Sequence, residues 1–256
     1  MPEVDDSVLY VVEDKIARIT LNRPDKRNAL NDTMIAGIKR ALREVLGDEH
    51  VRAIVITGSG KDFCSGADLA ALERISKASV SENSDDANSL MELFLLIRHC
   101  HVPVTAAVRG RALAGGCGLA SICDLVLAST SARFGYPEVK IGFVPAMVLA
   151  IMRRNISEKR AFELVTRGEE ISAAQANEIG FVNRVFDDET FDQDVTTYVK
   201  KFEQMSKSAL TLTKSLFYQI DGLAFREALE TGSDVNVIAR MSDDCRAGIS
   251  GFLKKK

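Results

Sequence analysis

Five short apolar runs set the framework of this chain. Residues 8–12, 16–21, 51–57, 104–108 and 125–128 are alternating or continuous apolar stretches rich in β-branched residues, a pattern that predicts strands. The first two predict a hairpin around Glu13-Asp14. Residues 31–46 carry apolar positions at helical spacing instead: Met34, Ile35, Ile38, Ala41, Leu42, Val45 and Leu46, with Asn31 or Asp32 as the cap. Strands that alternate with helices predict an α/β fold with at least partly parallel pairing.

From about Ser157 the chain becomes helical. Residues 157–166 and 172–178 each begin with a Ser in cap position, and 188–204, 206–218, 224–241 and a short tail helix around 243–253 follow. Segment 76–88 is rich in Ser, Asn, Asp and Glu with few large apolar residues, and it predicts a mobile loop between 69–75 and a helix at 89–98. The expected organisation is an α/β core over 1–195 followed by a helical part over 196–256. With 46% apolar and 27% charged residues, the 256-residue chain reads as an ordinary soluble globular protein. A net charge of −3 argues against a general nucleic-acid binder. No run of ~18 apolar residues predicts a membrane span. Five cysteines, an odd count, read as free thiols, and an acidic, polar start unlike a targeting peptide favours the cytoplasm.

Several motifs fail on inspection. Gly58-Ser59-Gly60-Lys61 is followed by Asp62 where a phosphate loop needs Ser or Thr, so a turn after a strand is expected. Gly116-Cys117-Gly118 lacks the third glycine of a dinucleotide fingerprint. His99-Cys100-His101 has no second ligand pair at metal spacing and reads as a polar helix end. No nucleophile elbow is present. Three other features stand out. Cys64-Ser65-Gly66-Ala67-Asp68-Leu69 and Ala112-Leu113-Ala114-Gly115-Gly116-Cys117-Gly118 both read as turns that open helices, where unpaired N–H groups gather. Two such ends can hold one oxygen between them, which stabilises an oxyanion without a charged side chain. Glu138, in Phe134-Gly135-Tyr136-Pro137-Glu138, supplies a carboxylate that could move a proton. Taken together, they suit chemistry beside a carbonyl. Taken singly, each turn reads equally well as glycine-mediated close packing.

In this combination the chain resembles the crotonase, or enoyl-CoA hydratase/isomerase, family almost end to end. The resemblance is carried by Asn22-Arg23-Pro24-Asp25-Lys26-Arg27-Asn28-Ala29-Leu30, Ser65-Gly66-Ala67-Asp68-Leu69, the glycine turn, Cys123-Asp124, Phe134-Gly135 with Pro137-Glu138, Leu212-Thr213-Lys214 and the tail Gly248-Ile249-Ser250-Gly251-Phe252-Leu253-Lys254. It implies a spiral of strand–strand–helix units with a helical C-terminal trimerisation region, assembled as a homotrimer or a dimer of trimers. It also implies an acyl-CoA thioester as substrate, with no metal, no redox cofactor and neither nucleic acid nor membrane as partner.

The resemblance also implies roles for residues. Ala67 and Gly115 match the family's backbone donors to the thioester oxygen, and Glu138 matches its second glutamate. The family's first glutamate is replaced by Gly118, which leaves one carboxylate. Residues expected around the substrate are Ala29, Ser65, Gly66, Asp68, Leu69, Gly116, Gly118 and Tyr136; for Tyr136 a packing role is at least as natural, and for Asp68 a helix cap. Arg23, Lys26, Arg27, Phe252 and Lys255 match positions near the CoA moiety, although solvated surface charge explains the basic ones equally well. Residues 144–149, Val-Pro-Ala-Met-Val-Leu, replace a glycine-rich stretch and imply a changed acyl pocket. The expected activity is enoyl-CoA hydratase. The alternatives are a Δ3,Δ2-enoyl-CoA isomerase using Glu138 alone, a catalytically weak acyl-CoA-binding paralogue, and a thioester hydrolase or dehalogenase.

Overall fold

A computed structural model describes residues 6–254. In chain order the elements are β1 (Val8–Glu13), β2 (Ile16–Leu21), α1 (Asp32–Gly47), β3 (Ala53–Gly58), α2 (Leu69–Lys77), α3 (Val80–His99), β4 (Val104–Val108), β5 (Arg111–Leu113), α4 (Gly115–Ile122), β6 (Leu125–Ser129) and β7 (Arg133–Gly135). They continue with α5 (Ala146–Asn155), α6 (Glu158–Arg167), β8 (Glu170–Ser172), α7 (Ala173–Glu178), β9 (Arg184–Phe186), α8 (Phe191–Lys200), α9 (Lys207–Gln219), α10 (Phe225–Met241) and α11 (Asp243–Lys254).

A six-stranded sheet runs β1-β2-β3-β4-β6-β9. Only β1 and β2 pair antiparallel, and their two-residue turn uses Asp14 and Lys15 at φ 45° and 65°, the left-handed pair that a tight hairpin needs. The turn therefore sits one residue later than expected. The remaining pairs are parallel. Both faces of β2, β3, β4 and β6 are covered, which is why they read as nearly continuous apolar runs, whereas β1 leaves Leu9, Val11 and Val12 exposed. Ile54 and Ile56 face the main core with α1 and α3, whereas Ala53 and Val55 face Phe191, Val195 and Val199 of α8. Helix α8 runs through position 195, so the sheet's second cover extends past the expected 195/196 boundary.

A second, small sheet, β5-β7-β8, is prolonged by isolated bridges from Cys64 to Ala112 and from Leu30 to Ala67. The chain thus repeats one course. A long strand enters the large sheet, a short strand or bridge enters the small one, and helix follows: β3, Cys64, α2; β4, β5, α4; β6, β7, α5. This is the strand–strand–helix spiral expected from the resemblance.

Segment 76–88 is not a loop. Helix α2 ends at Lys77, and α3 begins at once with Ser79 as its cap, in a reciprocal box with Glu82 (Glu82 N to Ser79 Oγ 3.3 Å, Ser79 N to Glu82 Oε2 2.8 Å). The first half of α3 is polar because it faces solvent. It is held by Arg74 between Asp32 and Asp86, and further along by Lys39 Nζ on Ser89 and Glu92, each at 3.0 Å. Helix α9 is fixed by a buried lysine: Lys214 Nζ donates to Ile97 O and Val102 O, each at 3.0 Å, and pairs with Asp124 at 2.6 Å.

Candidate active site

The spiral brings the two turns together. Cys64 N donates to Arg111 O (3.0 Å), and Leu113 N donates to Cys64 O (2.9 Å). Gly66, at φ +96°, lies against the second turn: a Cβ on it would stand 2.8 Å from Ala114 Cβ and 3.6 Å from Gly115 N. Any other residue would push the turns apart. Gly116 is equally close, since its Cβ would stand 2.3 Å from Cys64 O.

Two amides are left over by this stitching. Leu30 N donates to Gly66 O and Asp68 N donates to Leu30 O, so the N–H of Ala67 between them points to the other side. Ala67 is exposed there. Gly115 is the first residue of α4, where an N–H has no intrahelical acceptor. It is aimed by Ala114, whose φ of 49° and ψ of −127° are strained for a residue with a side chain. Ala114 is pinned in turn by its N–H to Gly135 O, 2.9 Å. Among the described residues, neither Ala67 N nor Gly115 N has a backbone acceptor.

The bond from Ala114 to Gly135 and the pairing of β5 with β7 place the next residues of the chain, Tyr136 to Glu138, beside α4. Glu138 is half-buried, and its Oε2 is buried without a hydrogen-bond partner among the described residues. Burial pushes its carboxyl pKa up, as desolvation of the charged form requires. Its charge reaches Cys117 in the first turn of α4, whose thiol is pushed to about 12 chiefly by burial. Glu138 therefore lies within electrostatic reach of the glycine turn.

Around this centre the loop 22–30 is built as a rigid arm. Asn28, fully buried, donates to Ser59 O (2.9 Å) and Asp62 O (2.8 Å) and accepts from Arg23 N (2.8 Å). Arg23 donates to Ala29 O and pairs with Asp68, each at 2.8 Å. Asp68 is also the cap of α2, through Ala70 N at 3.0 Å, and these contacts hold its carboxyl below the usual range, the Ala70 amide first and Arg23 next.

This geometry joins a measurable kinship. Residues 12–256 match the model of the enoyl-CoA hydratase/isomerase family. The chain belongs to that family. A Thermus thermophilus protein that carries the provisional name enoyl-CoA hydratase is 36% identical over 249 residues, 97% of this chain and 98% of that one. The crotonyl-CoA hydratase of Syntrophomonas wolfei is 31% identical over 253 residues, 98% and 96% of the two chains. The crystal structure of a Mycobacterium smegmatis enoyl-CoA hydratase superposes with a TM-score of 0.93 at 32% identity, covering 98% and 97% of the two chains.

Not every expected residue reaches the centre of this hydratase/isomerase-family site. Ala67, Gly115, Gly116, Gly66 and Ser65 lie on the joined turns, and Glu138 lies on the segment that β7 places beside α4. Ala29 is buried beneath them. Tyr136 is fully buried and donates to Met152 Sδ at 3.4 Å, so its ring packs the core rather than meeting a substrate. Arg23 spends its outer nitrogens inside the protein, whereas Lys26 and Arg27 are exposed beside it. Leu69 is 82% exposed. Phe252 is exposed on α11, which packs on α9 and α10; Lys255 lies outside the described residues. Gly118 is buried, with Phe94 and Val148 filling the space over it. Sequence reasoning reached Val148 only as part of the changed stretch 144–149 and Asn28 only as part of the 22–30 motif, and it missed Phe94, because a core-facing amide or ring carries no motif of its own.

Proposed function

We propose that this chain is an enoyl-CoA hydratase that works with one carboxylate. The observation that carries the reading is Glu138, a half-buried carboxylate whose Oε2 is buried without a hydrogen-bond partner among the described residues, beside the joined turns that each leave an amide free. The names of the similar proteins support the same activity.

In this reading Ala67 N–H and Gly115 N–H donate to the thioester oxygen of a 2-enoyl-CoA. The oxygen of a water adds to C3. The electron pair of the C2–C3 double bond shifts toward the thioester, and the negative charge collects on its oxygen as an enolate. Fixed amide donors favour that charge more than the ground-state carbonyl, and losing one such donor typically lowers the rate about 10²–10³-fold. Glu138 takes a proton from the water. The carboxylic acid so formed returns a proton to C2, where the enolate pair makes the new C–H bond. Water has been added, Glu138 ends as it began, and no electrons leave the substrate. Burial raises the pKa of Glu138, which suits a group that must both take and give a proton.

Lys26 and Arg27 are exposed cations on the arm, and they suit the CoA phosphates. The exposed apolar side chains of α10 and α11, Phe225, Leu229, Val237, Ile238, Ile249 and Phe252, support assembly as a trimer or a dimer of trimers. Five free thiols support a reducing compartment such as the cytoplasm.

Gly118 favours a second reading. Without a second carboxylate to orient a water, Glu138 alone could move a proton from C2 to C4 of a 3-enoyl-CoA. Incubation with trans-2-enoyl-CoA and 3-enoyl-CoA, with products identified by mass, separates the two. Hydration adds the mass of water to the first substrate. Conversion of only the second, without mass change, would replace the hydratase reading by the isomerase one.

A further inference from the structure

Helix α4 begins at the glycine turn and carries Gly118 and then Ile122 along one face. A Cβ on Gly118 would stand 3.0 Å from Val148 Cγ2 and 3.3 Å from Phe94 Cζ. The ring of Phe94 on α3 and the methyl of Val148 on α5 therefore close over Gly118, and each residue is only 5% exposed. One turn further along α4 the packing opens. Ile122, together with Phe94, Met147 and Ile151, lines a cavity of ≈ 840 Å³ that α9 bounds on its other side through Thr211 and Lys214. The glycine turn, the closed point and the cavity thus follow one another along a single helix. At about 1.5 Å rise per residue, the closed point lies about 4.5 Å beyond Gly115 and Ile122 about 10 Å beyond it.

We infer that Phe94, backed by Val148, is the stop that limits acyl length in this protein. The inference rests on the acyl-CoA reading above. A thioester held at Gly115 N–H sends its acyl chain past Glu138 toward Gly118, where a short chain ends against the Phe94 ring. Were the ring absent, the space over Gly118 would join a cavity whose near wall is Ile122, Met147 and Ile151, apolar surface suited to a run of methylenes. The wild-type substrate class is accordingly short-chain enoyl-CoA, and long chains are excluded by one side chain rather than by the absence of room.

The test compares crotonyl-CoA with trans-2-dodecenoyl-CoA in wild type, Phe94→Ala and Phe94→Leu. A parallel competition measurement uses saturated butyryl-CoA and dodecanoyl-CoA, which reads binding without turnover. Wild type should favour the short substrate. Phe94→Ala should raise the long-to-short ratio of kcat/KM, and of binding, by about tenfold or more, since pocket fit per methylene is worth that much. Ala150→Trp, which lines the same cavity, should cancel the gain when added to Phe94→Ala. Phe94→Leu retains most of the packing and should show a smaller shift; it carries the test if the alanine variant unfolds. An unchanged ratio in folded variants, or equal use of both chains by wild type, would overturn the stop. Altered saturated-chain binding in an enzyme that turns over no enoyl-CoA would instead sustain the stop and remove the hydratase reading.

Discussion

At the scale of single residues, two positions give the proposed chemistry its sharpest tests. Glu138 is held in a place that costs it stability when ionised. Its folded pKa lies above the unfolded value, so the folded state binds the proton more tightly and stability falls as pH rises from the ordinary carboxylate range, about 4.3, through the raised value. Glu138→Gln should therefore melt at the same or a higher temperature than wild type at neutral pH, with the difference shrinking below about pH 4. Thermal melts across pH check this, and a lower neutral-pH melting temperature for the variant would show that the carboxylate is paired after all. Gly66 is the second position. Gly66→Ala sets a methyl 2.8 Å from Ala114 Cβ and forces an alanine to φ +96°. It should lower kcat/KM by at least about tenfold through misplacing the amide of Gly115, more than it lowers acyl-CoA binding; steady-state kinetics beside a binding titration measures both. Glu138, Ala67 and Gly115 were legible in the sequence because their motifs encode backbone geometry and a reactive group. Tyr136 was ambiguous because an aromatic beside a catalytic motif is equally often core. Asn28 stood in the 22–30 motif, but its role was not legible because its work is to satisfy the carbonyls of Ser59 and Asp62 from another part of the chain.

At the scale of elements, the strands and long amphipathic helices were legible from periodicity, and the failures have identifiable causes. The N-terminal half of α3 is polar all round, so no apolar stripe marked it; its readable signal was the Ser79-to-Glu82 capping box. The strands β5, β7, β8 and β9 are three residues each, too short to show alternation. Helix α4 explains why the missing carboxylate cannot simply be restored. Gly118→Glu alone would crowd Val148 and Phe94 and bury a charge against apolar groups, so it should destabilise by about 1–3 kcal/mol or more. Paired with Val148→Ala it should regain stability and raise hydration relative to isomerisation, read as a product ratio. The docking of α9 rests on Lys214. Removing one partner of a buried ion pair typically costs about 3–5 kcal/mol because the other charge is stranded; Lys214→Ala would leave Asp124 with Val104 N and Tyr218 OH as its donors among the described residues. Hydrogen exchange should show α9 opening in that variant while the strands of the large sheet stay protected.

At the scale of the whole molecule, the large sheet supplies a rigid base and the small sheet gathers three distant loops into one site. That gathering depends on long-range bridges such as Leu30 to Ala67 and Cys64 to Ala112, which no local pattern announces; the resemblance of the motifs, not their periodicity, made the site legible. The C-terminal helices leave apolar side chains exposed, and the trimer reading predicts that Leu229→Glu with Val237→Glu shifts the protein to smaller species in light scattering, whereas an unaltered mass would place the interface elsewhere. Every scale converges on one claim, that Glu138 alone moves the proton while two backbone amides hold the charge. The direct measurement is turnover of crotonyl-CoA by folded wild type and Glu138→Gln, with product mass and acyl-CoA affinity recorded together. The account predicts a hydrated product from wild type, affinity retained in the variant, and turnover lower by at least about 10²-fold; a Glu138→Gln protein that hydrates crotonyl-CoA at near wild-type rate would contradict it.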